Sequence, residues 1–270
     1  MNIELEAAAS LRHLALNEDV KAYILQNPPI YQSLLHAAMR FIGGETLDQC
    51  VEVAEALNKA GFAVTIDYMG ESTRDEVEAE QATQEFCEVI RVISSHNLDA
   101  SVSLDLSHIG AVVDPEIGYR NACILAGLMQ KTDLEMMISM EGTDRTDLIL
   151  EIYQRLCENF NNVGITLQAY LHRTPDDLES TLRHPGKIRL VKGAYAAPAD
   201  LAKSCGVELD AAYSQLMEVL FRSEHLCSIS THDPNLLEQA HKFIQEHQIE
   251  HSKFEFEMLK GVAPERLKAM

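Results

Sequence analysis

At 270 residues the chain has room for one β/α barrel, about 250 residues being usual, and for a full hydrophobic core. Its 22 basic against 42 acidic residues leave a net charge of -20, which repels a phosphate backbone and an anionic membrane surface, so neither nucleic acid nor lipid is expected as a partner. No apolar run approaches the roughly 18 residues of a membrane span, and the amino end, with Glu4 and Glu6 ahead of any base, does not read as a secretory signal; the expectation is a cytoplasmic protein without an integral membrane segment. The cysteines Cys50, Cys87, Cys123, Cys157, Cys205 and Cys227 are spread one per element with no close pair, which reads as reduced core residues rather than a zinc knuckle or a redox pair.

In chain order, segments 11–16 and 30–41 carry apolar residues at helical spacing, so residues 1–40 are expected to form a helical segment packing on a barrel built from 41–270. Seven short apolar runs rich in β-branched residues follow. They are Phe62–Tyr68, Ala100–Leu106, Leu134–Met140, Val163–Tyr170, Ile188–Ala194, Leu226–Thr231 and Phe254–Leu259. Segments of helical period accompany them at 45–60, 75–95, 115–131, 143–159, 175–183, 208–223 and 235–248, with Thr46, Asp114 and Thr174 as capping residues near helix starts. The first strand ends in Asp67-Tyr68-Met69-Gly70-Glu71 and not in a glycine-rich phosphate fingerprint, which favours a barrel over an open doubly wound sheet. The reading is therefore a TIM-type (β/α)8 barrel lacking its last strand-helix unit. The amino-terminal segment or a second copy is expected to cover the gap, so a homo-oligomer is expected.

The helix-facing side of each barrel strand must be apolar, and the alternation then fixes what points inward. In the fourth strand Ile165 and Leu167 face out, leaving Thr166, Gln168 and Tyr170 within; in the fifth, Ile188 and Leu190 leave Arg189, Val191 and Gly193. The others offer Thr65 and Asp67, Ser103 and Asp105, Ser139 and Glu141, Ser230 and His232, Glu255 and Glu257. Barrel interiors are usually filled by Val, Ile and Leu, so these polar groups either solvate one another or line a cavity, and the cavity is the favoured reading. Asp67, Asp105, Glu141, Gln168, His232 and Glu257 lie nearest the carboxyl ends of their strands, where barrel enzymes build active sites.

Leu167-Gln168-Ala169-Tyr170-Leu171-His172-Arg173-Thr174, Arg189-Leu190-Val191-Lys192-Gly193-Ala194-Tyr195 and Thr231-His232-Asp233-Pro234 resemble, in order and on the right strands, the proline dehydrogenase family. Arg40-Phe41-Ile42-Gly43-Gly44-Glu45-Thr46 and the segment from Phe254 to Val262 are similar to that family's corresponding blocks. The resemblance implies non-covalent FAD and hydride transfer to the flavin from a C–N or N–N bond of a small amine, imino acid or hydrazine. Electrons would pass on to a quinone or oxygen. It further implies that Gln168 and Arg189 address the isoalloxazine ring, that Val191, Lys192, Gly193 and Ala194 line the flavin and its diphosphate, and that Thr231 and His232 hold the cofactor. Arg189, Asp105 and Glu257 form the expected catalytic group, with Asp67, Asp105, Ser139 and Tyr195 on the substrate side and no metal ligands.

Two positions depart from the family. Asp105 stands where the family carries a lysine, and Ser139 replaces a family aspartate. The family's final strand and helix, bearing the paired arginines that grip the proline carboxylate, have no counterpart before Met270. Proline dehydrogenase proper in a shortened form is thus one alternative. Others are a barrel using Lys192 as a Schiff-base lysine or Asp67, Glu141 and His232 as metal ligands, and a flavin-binding relic without activity.

Overall fold

The computed structural model describes residues 14, 17–70, 72–262 and 264–269. Two helices, α1 (Glu18–Leu25) and α2 (Pro28–Ala38), precede α3 (Leu47–Lys59) and the first strand, β1 (Val64–Asp67). Strand and helix then alternate: α4 (Glu76–Ser95), β2 (Ala100–Leu104), α5 (Pro115–Lys131), β3 (Met136–Ile138), α6 (Thr146–Cys157), β4 (Val163–Gln168) and α7 (Thr174–Thr181). The series continues with β5 (Ile188–Val191), α8 (Val207–Arg222), β6 (Cys227–Ser230), α9 (Pro234–His247), β7 (Phe254–Glu257) and α10 (Pro264–Ala269). All seven expected strands and their helices are present, the strands shorter at their ends than the apolar runs that announced them.

Every strand pairs in parallel with the next, in the order β1 to β7. The sheet must curl, because side chains of β5 touch strands that a flat sheet would hold apart. Arg189 on β5 reaches Ser103 on β2 at 3.2 Å, although three strand spacings of about 4.8 Å each separate them along the sheet. The outward residues, among them Val102, Leu104, Ile165, Ile188, Leu190 and Ile229, are completely buried under the helices. This apolar shell supplies the hydrophobic stabilisation that an interior of polar residues cannot.

Local chemistry sets the helix starts. The side chains of Thr46, Asp75, Asp114 and Asp233 each accept a backbone N–H in the first turn of the helix that follows. Thr174 is not a cap: it is the first residue of α7, and its hydroxyl donates back to the Gln168 carbonyl. All six cysteines are free thiols; Cys227 is buried, but Cys205 is exposed, so it is no core residue.

The amino-terminal segment meets the barrel differently from the expectation. Most of 11–16 lies outside the described residues, and no described residue of α2 is buried: Ile30 and Leu34, like Phe41 just beyond the helix, are exposed. The attachment comes instead from the turn after α2. The Lys260 ammonium, beyond β7, donates to the carbonyls of Met39 at 2.9 Å, Arg40 at 3.2 Å and Ile42 at 2.9 Å. In return Arg40 Nε donates to the Gly261 carbonyl at 3.1 Å. Gly261 has φ +79°, and a Cβ there would come within 2.3 Å of the Arg40 oxygen, so the latch needs glycine. Among the described residues β1 and β7 are the sheet edges, and this latch joins the β7 side to the chain that leads into β1. Lys260→Met, which removes three charge-assisted hydrogen bonds, is expected to lower stability by about 1–3 kcal/mol, seen as a lower urea midpoint with an unchanged m value. An unmoved midpoint would mean the latch carries no load.

Candidate active site

Inside the curled sheet the polar residues form tiers. At the amino ends of the strands Lys187 Nζ lies 2.6 Å from Glu135 Oε2 and 2.9 Å from Glu255 Oε1, so one buried ammonium ties the residue leading into β5 to the residue leading into β3 and to β7. One tier up, Arg189 Nε donates to Glu257 Oε2 at 2.7 Å and Nη1 to Ser103 Oγ. The same Glu257 oxygen accepts from Ser228 at 2.8 Å and Ser230 at 3.1 Å, while Ser103 and Ser139 share a hydrogen bond of 3.1 Å. Thr65 and Ser101 pair at 3.0 Å. In these lower tiers, then, the polar groups mainly solvate one another, as buried charges must.

Toward the carboxyl ends the balance changes: Thr166 Oγ1 in the middle of β4, Gln168 Oε1 at its end and Tyr170 Oη just beyond are buried with no hydrogen-bond partner. Thr166 is in register with Arg189, and Gln168 with Val191, so the glutamine sits one tier above the guanidinium on the inner face. Two of the five guanidinium N–H groups of Arg189 are committed to Glu257 and Ser103. Asp67 opens to solvent, yet burial of its carboxyl by the surrounding protein raises its pKa above the ordinary 3.8, the charge of Arg189 pulling the other way. Asp105 is half-buried just past the end of β2, above Ser103.

The remaining expected residues divide. Thr231 is buried and its hydroxyl accepts the Asp233 N–H at 3.2 Å; His232 Nε2 accepts the Leu259 N–H at 3.0 Å. Burial, and then the Arg266 charge, depress the His232 pKa, in keeping with a neutral ring that accepts. Gly193 has φ +113°, and a Cβ there would fall 2.3 Å from the Tyr170 ring, so the need for glycine comes from its own turn and from Tyr170. Ala194 and Tyr195 are exposed at the rim. The Lys192 ammonium is held outside the barrel, 2.6 Å from Asp210 and 2.8 Å from Asp233. Burial works against its charge, but the two carboxylates outweigh it and raise the pKa, the opposite of what a Schiff-base lysine requires. Glu141, expected at the mouth and considered as a metal ligand, is instead fully engaged by the Ser107 N–H at 3.0 Å and by Arg145. Among the described residues no three His, Cys, Asp or Glu side chains are grouped to hold a metal ion. Glu135 and Lys187 are the functional-looking residues that sequence reading missed, although the alternation that exposed Ser139 and Arg189 includes both.

The proline dehydrogenase family model matches residues 50–270. The chain belongs to the proline dehydrogenase family. It is 31% identical over 260 residues to proline dehydrogenase 1 of Bacillus subtilis strain 168, covering 96% of this chain and 86% of that one. It is 28% identical over 236 residues to proline dehydrogenase of Deinococcus radiodurans, with 86% and 76% covered. Proline utilization A from Bdellovibrio bacteriovorus, in a crystal structure of the enzyme inactivated by N-propargylglycine, superposes with a TM-score of 0.78 at 22% identity. That likeness, covering 89% of this chain and 30% of the longer protein, shows the shared barrel.

As a member of this family the chain is an FAD-dependent oxidoreductase. Its residues fit the cofactor. A flavin ring offers N–H and carbonyl groups along one edge; Arg189 has uncommitted guanidinium N–H groups, Gln168 one tier above it an unsatisfied buried amide oxygen, and Tyr170 just past the end of β4 an unsatisfied phenol. Because the folded chain holds the Asp67 proton more tightly than the unfolded chain does, ionising it costs stability as pH rises through and above 3.8. Asp67→Asn is therefore expected to raise the melting temperature at pH 7 and to lose that gain well below pH 3.8. A gain that grew on acidification would contradict the assignment.

Proposed function

We propose that the chain oxidises the C–N bond of a small secondary amine, with proline the reference substrate, at the carboxyl ends of β1, β2, β4 and β5. The observation that carries this is the buried, unsatisfied Gln168 oxygen one tier above a guanidinium that Glu257 already neutralises. Bound FAD supplies the hydride-accepting centre. Gln168 and Arg189 orient the ring. The backbone of Val191, Gly193 and Ala194, with Thr231 and His232, lines the cofactor.

An amine must shed its ammonium proton before it can donate hydride, and Asp105 is the base for that proton. Glu257 has another part: one of its oxygens accepts hydrogen bonds from Arg189, Ser228 and Ser230. It acts by holding Arg189. Asp67, Ser139 and Tyr195 complete the substrate side. The same reading has residues 1–40 as a helical segment beside a barrel of 41–270, a quinone or oxygen as electron acceptor, a homo-oligomer and a cytoplasmic location. No described helix is long and apolar enough to cross a membrane.

The test is an anaerobic titration of the FAD-loaded protein with proline, pyrrolidine and N-propargylglycine, following the flavin bands. Bleaching by one or more of them is expected, and Asp105→Asn is expected to slow it about 100-fold with loss of its acid-side pH dependence. Flavin bands that none of the three changes would contradict the proposal.

A further inference from the structure

Lys192 lies among the residues expected to line FAD, yet its side chain points away from the mouth, as its place in the strand alternation requires. We propose that Lys192 is a positioning residue for the cofactor: by pairing with Asp210 and Asp233 at once, it locks the chain after β5 to the chain after β6 without touching FAD. The inference rests on the FAD reading.

The bonds around this lysine converge from three strand ends. Its carbonyl accepts the Tyr170 N–H at 2.9 Å, which continues the β4 to β5 ladder past the last residues of both strands. Its ammonium lies 2.6 Å from Asp210 in the first turn of α8 and 2.8 Å from Asp233 Oδ2. The other Asp233 oxygen accepts the Asn235 N–H at 2.9 Å and so caps α9, and the Asp233 N–H donates to Thr231. Gly193, the next residue, turns at φ +113° directly over the Tyr170 ring. One cation therefore fixes the relative placement of Tyr170, Gly193 and Thr231, which stand at the ends of β4, β5 and β6. All three groups are partly shielded, with side-chain exposures of 30% for Lys192, 40% for Asp210 and 24% for Asp233, so the lysine's contribution lies in joining two carboxylates at once and not in the strength of either pair. Both carboxylates compete with any phosphate for the ammonium.

This competition makes the test decisive in sign. FAD affinity is measured on the full chain by quenching of flavin fluorescence, with thermal unfolding of the cofactor-free forms as the folding control. Lys192→Met and the double variant Asp210→Asn/Asp233→Asn are each expected to weaken FAD binding about tenfold. Asparagine still caps a helix, so α9 keeps its start. Combining all three changes is expected to cost no more than either alone, and Lys192→Arg is expected to restore most of the affinity. If removing the acids leaves FAD binding unchanged or tighter, the freed ammonium is a phosphate ligand or a bystander and the inference is overturned. Should Lys192→Met fail to fold, Asp210→Asn alone decides by the same sign. A wild-type chain that does not bind FAD would instead overturn the FAD reading on which the inference stands.

Discussion

A guanidinium inside a barrel is tolerable only if carboxylate and hydroxyl groups replace the water it has lost, and Arg189 sets that condition for the whole interior. Glu257 on β7 and Ser103 on β2 meet it from opposite sides, and two serines of β6 complete the Glu257 oxygen. The residue that leads into β5, Lys187, lies below and gathers Glu135 and Glu255. β5 and the residue before it thus provide these two interior cations, and β7 with the residue before β3 provides the anions. Charge matching, not close-packed Val, Ile and Leu, fills this barrel; the apolar packing lies outside, between strands and helices.

The satisfaction of polar groups is uneven along the barrel axis. Near the amino ends each interior charge is paired. Near the carboxyl ends Gln168 and Tyr170 keep unpartnered polar atoms. An unsatisfied buried group costs about 1–3 kcal/mol, so the amide of Gln168 and the phenol of Tyr170 mark a place where a ligand can recover that energy. The lower tiers are the foundation and the upper tier is the site we propose, the end at which barrel enzymes bind their substrates.

The strand order, the helices and the inward face of each strand were legible because they depend on periodicity, which is local. Thr166, Gln168, Arg189 and Glu257 were found this way. The readings that changed lie where periodicity stops. β3 ends at Ile138, so Glu141 is a loop residue, and its partner Arg145 belongs to the same loop. β5 ends at Val191, so Gly193 answers to a turn and to the Tyr170 ring and not to the barrel face. The pairing of Lys192 with Asp210 and Asp233, and the Lys260 latch on residues 39–42, join parts of the chain that no short window contains. Apolar spacing in α2 read as a packed face, but spacing says only that a helix has such a face, not that anything covers it.

A crystal structure of the FAD complex tests the central claim most directly. The account predicts the isoalloxazine edge against the Gln168 oxygen and the uncommitted N–H groups of Arg189, with the Arg189–Glu257 pair intact and Lys192 still between its two aspartates. A flavin bound elsewhere, leaving the Gln168 and Tyr170 polar atoms without partners, would contradict it.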